Sequence, residues 1–150
     1  MKIYIFDLDG TVFKWQSGED YWAPHYFRNL PSDELMVKVV NRLLKAGENI
    51  VFGTAVLNEE AAFDKREALN ELGFANVPMI AVKNGYTKDG ILKTVEKRIL
   101  IDDYTKNLIN FSGIGVKYCN GINDTNKTWN GLRISTDMSA EEIYNLLRKI

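Results

Sequence analysis

Four short stretches of the chain carry side chains whose types and spacing can do chemistry: Asp7-Leu8-Asp9-Gly10-Thr11, Gly53-Thr54-Ala55, Lys88, and the pair Asp102-Asp103. Carboxylates brought together repel one another and call for a cation, and an all-oxygen donor set suits magnesium. A magnesium ion and a lysine together neutralise a phosphoryl group, whose transfer depends mainly on positioning and charge stabilisation. A carboxylate can itself attack phosphorus and form an aspartyl-phosphate. A second carboxylate two residues further on can protonate the leaving oxygen and then activate water. Gly10 permits the sharp turn that this spacing needs.

These stretches must be delivered by regular elements, and the hydrophobic pattern supplies them. Ile3 to Phe6 is a short apolar, β-branched and aromatic run that reads as a buried strand. Asn49 to Gly53, Val77 to Val82 and Arg98 to Ile101 read as the second, third and fourth strands, Gly115 to Tyr118 as a fifth and Leu132 to Ile134 as a further one. A helix is expected from Ser32, with Asp33 and Glu34 in its first turn and Leu35, Val39 and Leu43 at helical spacing, until Gly47. Asn58 caps a second helix, Glu59 to Leu72, stopped by Gly73. Thr87 to Glu96 reads as another helix, and Ser139 caps a terminal one with Glu142 at the capping-box position. Strands alternating with helices predict an α/β fold: a mostly parallel sheet covered on both faces, in three α/β/α layers. In such sheets ligands bind beyond the carboxyl ends of the strands, where Asp7, Asp9, Thr54, Asp102 and Asp103 fall.

Composition narrows the alternatives. The chain has 150 residues, 45% hydrophobic and 26% charged, as expected of one globular domain. A net charge of -1 gives no global attraction to nucleic acid or acidic membranes. One cysteine, Cys119, and one histidine, His25, exclude an intrachain disulfide and a thiolate or multi-histidine zinc cage. The first apolar run is broken by Asp7 too early for a signal peptide or a spanning helix, so the expectation is a cytoplasmic protein with no membrane partner.

The residues also carry a resemblance. Phe6 to Thr11, FDLDGT, resembles the first signature of the haloacid-dehalogenase-like superfamily; Thr54 resembles its second motif, Lys88 its third, and Asp102-Asp103 its fourth, all in the family's order. The resemblance implies a Rossmann-like core and a magnesium-dependent phosphatase. Asp7 would be nucleophile and metal ligand. Asp9 would be general acid/base and offer its backbone carbonyl to the metal. Thr54 and Lys88, with Gly10 and Ala55 beside them, would bind the phosphoryl group. Asp102 would bind magnesium directly or through water, and Asp103 would be a ligand or support one. Lys83 and Lys93 compete with Lys88 for the lysine role; the Gly85-Tyr86-Thr87 loop favours Lys88.

Family members usually add a cap domain, and here the first insertion point holds only a short aromatic segment at about residues 13–31, so a minimally capped form is expected. An open site suits a large substrate, or one closed over by a neighbouring subunit in an oligomer. ILIDDYTKNL resembles the fourth motif of the 5'(3')-deoxyribonucleotidase-like branch, which implies a phosphorylated small molecule such as a nucleotide, or a nucleic-acid end. Trp15, Tyr21, Trp22, His25, Tyr26 and Phe27 crowd the insertion, where aromatic faces either stack a base or simply pack. Trp129-Asn130-Gly131 is a further candidate for the rim. A plainer role for Asp102 and Asp103 is capping a helix that starts at Tyr104. The competing function is a non-catalytic or partner-dependent module that binds a phosphorylated macromolecule; a dehalogenase is disfavoured by Asp9.

Overall fold

A computed structural model describes residues 1–15, 22–122 and 128–150. Its centre is a six-stranded sheet in the order β3-β2-β1-β4-β5-β6. The strands are β1 (Lys2–Phe6), β2 (Asn49–Val56), β3 (Met79–Lys83), β4 (Lys97–Asp102), β5 (Ile114–Cys119) and β6 (Leu132–Ser135). Every neighbouring pair is parallel. β1 lies between β2 and β4, which explains its unbroken apolar run: both its faces are covered.

The two faces divide the core. Tyr4 and Phe6 join Met36, Val39, Val40 and Leu43 of α1 (Glu34–Lys45), Ala68 and Leu69 of α2 (Glu59–Glu71), and Ile143, Tyr144 and Leu147 of α4 (Ala140–Arg148). The spacing of those α1 residues is one helical stripe. Ile3 and Ile5 face the other way, onto Leu108 of the short α3 (Thr105–Ile109), Phe111 and Ile91. The expected parallel sheet covered on both faces is therefore the architecture observed. Among the described residues there is no cap domain and no helix long and apolar enough to cross a membrane.

Several boundaries differ from expectation. The cap of α1 is Asp33 and not Ser32: its Oδ1 accepts from the Met36 N–H at 3.1 Å. β2 runs past Gly53 to Val56, so Thr54 sits inside the strand, and β3 begins at Met79 after Pro78. Ser139 forms the expected capping box with Glu142, and Asn58 caps α2. The largest correction is at Thr87 to Glu96, which is not a helix but a single 3-10 turn, Lys88–Gly90, followed by turns. Its carbonyls are claimed from outside: Arg98 Nη1 on β4 takes Asp89 O at 2.7 Å and Ile91 O at 2.8 Å. Helical bonding would require those same carbonyls. Cys119, at the end of β5, is half-buried.

Candidate active site

The chain reverses direction across the sheet between β1 and β4: β1 leads outward to β2 and β3, and the chain then crosses back to β4 on the opposite side. The crevice at the carboxyl ends of those two strands is the natural ligand site of such a sheet. A cavity of about 360 Å³ opens there, lined by Asp7, Asp9, Thr54, Ala55, Lys88, Asp102 and Asp103, with Trp15, Asn84, Tyr104 and Asn107 completing the wall. The sequence-selected side chains thus converge, except Gly10, which lies behind the wall. Of the competing lysines, Lys83 is exposed at the end of β3 and Lys93 pairs with Asp89 at 3.2 Å, and neither lines the cavity.

Asp7 remains tied to the sheet, its N–H donating to Ile101 O at 2.9 Å, while its carboxylate faces the cavity. Lys88 Nζ donates to Asp7 Oδ1 at 2.5 Å and to Asp102 Oδ2 at 2.8 Å, and Thr11 Oγ1 donates to Asp7 Oδ2 at 3.1 Å. Asp102 Oδ1 also accepts the Tyr104 N–H at 2.9 Å, but the helix that follows starts at Thr105 with Tyr104 as its N-cap and no side-chain cap bond, so neither aspartate takes the expected capping role. Lys88 is 2% exposed. The turn that carries it is pinned by Asp89, whose Oδ1 accepts from the Ser112 N–H and hydroxyl, both at 2.7 Å, and from Arg98 Nη2 at 3.2 Å.

Asp103 is brought close by two devices. Gly10 has φ +88°, and a Cβ built there would fall on the Asp103 carboxylate, so only glycine lets the two strand-end turns meet. Asn120 Nδ2 then bridges them, donating to Gly10 O at 2.8 Å and to Asp103 Oδ2 at 3.2 Å. Lys117, fully buried on β5, holds the turn from below through Asp103 O at 2.8 Å and Thr105 Oγ1 at 2.9 Å.

Asp7, Asp102 and Asp103 each present one oxygen within 4.8 Å of the others. Two of these carboxylates, Asp7 and Asp102, share the Lys88 ammonium. Burial, and then the charge of Asp7, push the Asp102 carboxyl up to about 6 despite the pull of Lys88. Burial draws the Lys88 ammonium down, but Asp102 and Asp7 outweigh it and hold the group above its ordinary value. A hard divalent cation is what such a donor set fits.

The sequence reading missed Lys65. Only 1% exposed, it rises from α2 to donate to Asp9 Oδ2 at 2.7 Å, Thr54 Oγ1 at 2.9 Å and Ala55 O at 2.8 Å. A signal was present: Ala61, Lys65, Ala68 and Leu69 share the helical stripe that turns inward, and a lysine on such a stripe needs an anion to meet.

The aromatic insertion divides. Tyr26 and Phe27 are buried edge-to-face, with ring centres 5.1 Å apart, and so pack instead of facing ligand. Trp22 is exposed, Trp15 lines the cavity, and Tyr21 lies outside the described residues. His25 pairs with Asp64 at 3.0 Å, fastening the insertion to α2. Trp129 covers Gly115 and Gly131 and takes no part in the cavity wall.

No protein-family model and no curated protein matches the chain. Among solved structures it is similar to a D,D-heptose 1,7-bisphosphate phosphatase from B. bronchiseptica, complexed with magnesium and phosphate, at 15% identity and a TM-score of 0.68 over 100% of both chains. It is equally similar in fold to the D,D-heptose 1,7-bisphosphate phosphatase from Burkholderia thailandensis, at 13% identity and a TM-score of 0.68, again over 100% of both chains. The class defined at this point is a parallel α/β fold, shared with these phosphatases, with a carboxylate-rich cavity at its switch point.

Proposed function

We propose that the protein is a haloacid-dehalogenase-like, magnesium-dependent phosphomonoesterase that works through an aspartyl-phosphate on Asp7, with a nucleotide as substrate. The observation that carries this reading is the convergence of Asp7, Asp9, Thr54, Lys88, Asp102 and Asp103 on one cavity. Asp7, Asp102 and Asp103, with the backbone carbonyl of Asp9, would hold magnesium; when bound, the ion offsets phosphoryl charge so that an anionic carboxylate can approach an anionic ester. Asp7 attacks phosphorus in line, and Asp9 gives the leaving oxygen its proton. Lys88 and the Thr54 hydroxyl hold the equatorial oxygens, with Ala55 and Gly10 shaping the loops around them. Asp9 then takes a proton from the water that releases phosphate.

The nucleotide preference rests on what adjoins the cavity. A groove of about 330 Å³ shares Ala55, Asn84, Tyr104 and Asn107 with it and continues to Tyr86, Lys106 and Asn110. Tyr86 and Tyr104 are 68% and 54% exposed, an uncommon state for two large rings beside one cleft, and they offer faces for a base. The asparagine amides can bond its edges. The open mouth also favours a second reading, in which the phosphate sits on the end of a nucleic acid.

The test is phosphate release from nucleoside monophosphates, sugar phosphates, an aryl phosphate and 5'- or 3'-phosphorylated oligonucleotides, with magnesium or chelator, for wild type and Asp7→Asn. Turnover that requires both metal and Asp7, and is fastest on a nucleotide, is expected. Faster turnover of sugar phosphates would overturn the nucleotide assignment, and faster turnover of oligonucleotide ends would favour the second reading. Silence of folded, metal-loaded protein on every ester would overturn the enzyme in favour of a binding module.

A further inference from the structure

Lys65 touches two members of the proposed machinery at once, and its contacts fix what each can do. A threonine hydroxyl has one proton and two lone pairs. Lys65 Nζ fills one lone pair of Thr54 Oγ1 at 2.9 Å, so the hydroxyl proton must point elsewhere. The hydroxyl donates only over a long 3.4 Å to Ala55 O, which also accepts from Lys65 at 2.8 Å. That proton is therefore available to an anion in the cavity. Asp9 shows the complementary asymmetry. Its Oδ2 is held by Lys65 at 2.7 Å, while its Oδ1 is buried with no hydrogen-bond partner. Lys65 therefore sets how the Asp9 carboxylate stands in the cavity wall. The Phe27 ring, with its centroid 4.3 Å from Nζ, covers the ammonium and keeps it on these partners.

We infer that Lys65 is a positioning residue for the reaction: it turns the Thr54 hydroxyl into a donor for the phosphoryl group and holds the Asp9 carboxyl group in place for proton transfer. The inference rests on the phosphatase reading above. As an Asp7 oxygen forms its bond to phosphorus, the bond from phosphorus to the leaving oxygen breaks, the electron pair stays on that oxygen, and the proton of the Asp9 carboxyl group moves to it. In the second half, the Asp9 carboxylate takes a proton from water as the water oxygen bonds to phosphorus, and the bond from phosphorus to Asp7 breaks with its electron pair returning to the carboxylate. Through Phe27 the insertion thus supports the site from behind.

The experiment compares an alkyl phosphate, whose leaving oxygen needs a proton, with a nitrophenyl phosphate, whose leaving group does not. Lys65→Met is expected to lower kcat on the alkyl ester by about 100-fold or more and on the aryl ester by less than about tenfold, with KM little changed. The same substitution in an Asp9→Asn background should add little further loss on the alkyl ester, because the proton path is already gone. Lys65→Gln, which keeps donors, should recover part of the alkyl activity and serves if Lys65→Met does not melt cooperatively. Equal losses on both esters, or full additivity with Asp9→Asn, would overturn the role while leaving the phosphatase reading standing. Wild type inactive on both esters would overturn that reading and this one together.

Discussion

Gly10→Ala offers a test in which strain and close approach can be separated. Gly10 and Gly47 both have positive φ, +88° and +80°. A side chain at either position meets the left-handed penalty, about 1–2 kcal/mol. At Gly47 nothing lies within 4 Å of an added Cβ, so that penalty is the whole cost. At Gly10 the methyl would displace the Asp103 carboxylate, which Asn120 holds from one side and Lys117 anchors through the backbone. Crowding of this kind adds about 1–3 kcal/mol, so Gly10→Ala should cost about 2–5 kcal/mol. Urea unfolding reads the difference: with a slope of about 2 kcal/mol per molar, the midpoint falls by about 1–2.5 M for Gly10→Ala and by about 0.5–1 M for Gly47→Ala. A magnesium titration followed by calorimetry should show affinity reduced about tenfold or more in Gly10→Ala and unchanged in Gly47→Ala, because only the first moves a carboxylate of the trio. Equal midpoint shifts with equal magnesium affinities would refute the argument that Gly10 is there to let Asp103 in.

Other outcomes follow from the same geometry. Lys88→Met leaves Asp7 and Asp102 facing each other in a buried site; it should cost about 3–5 kcal/mol without magnesium, and added magnesium should restore part of it, as thermal melts would show. Thr54→Ala should lower kcat/KM about tenfold, a loss of about 1.4 kcal/mol at the transition state, measured on the best substrate. The Ser112 N–H, and then its hydroxyl, hold the Asp89 carboxylate well below the usual range, with Lys93 and Arg98 adding to them. A depressed carboxylate stabilises the fold above its unfolded value, near 4, and loses that contribution as pH falls. Asp89→Asn should therefore cost about 1–2 kcal/mol at pH 7, and chemical unfolding at pH 2–3 should show the gap to wild type narrowing.

The sequence disclosed most where local chemistry and tertiary role coincide. FDLDGT is a strand, a turn and a carboxylate pair in six letters, and Asn58 and Ser139 announce their helices by capping alone. Legibility failed where a distant partner overrides local preference. Thr87 to Glu96 has helical composition, yet Arg98 takes its carbonyls and holds the turn in another shape. Lys65 was passed over because lysines are common on helices, and only the assembled fold shows it pointing inward. The aromatic insertion looked uniform in sequence; the structure separates Trp15 at the cavity from Tyr26 and Phe27 in the packing.

The bond from the Asp7 N–H to Ile101 O joins the first strand to one that follows the second and third in the sequence. The floor of the cavity exists only when segments far apart in sequence have paired, and such pairings are slow to find. An intermediate holding β1, β2 and β3 would contain Asp7, Asp9 and Thr54 but neither Lys88 nor the two aspartates after β4. Asp9 would still meet Lys65 of α2, but Asp7 would lie open with no ammonium to face it. Any cation preferring the complete trio would stabilise the sheet with β1 and β4 paired over every state that lacks this pairing, so the ligand that equips the site would also secure its assembly.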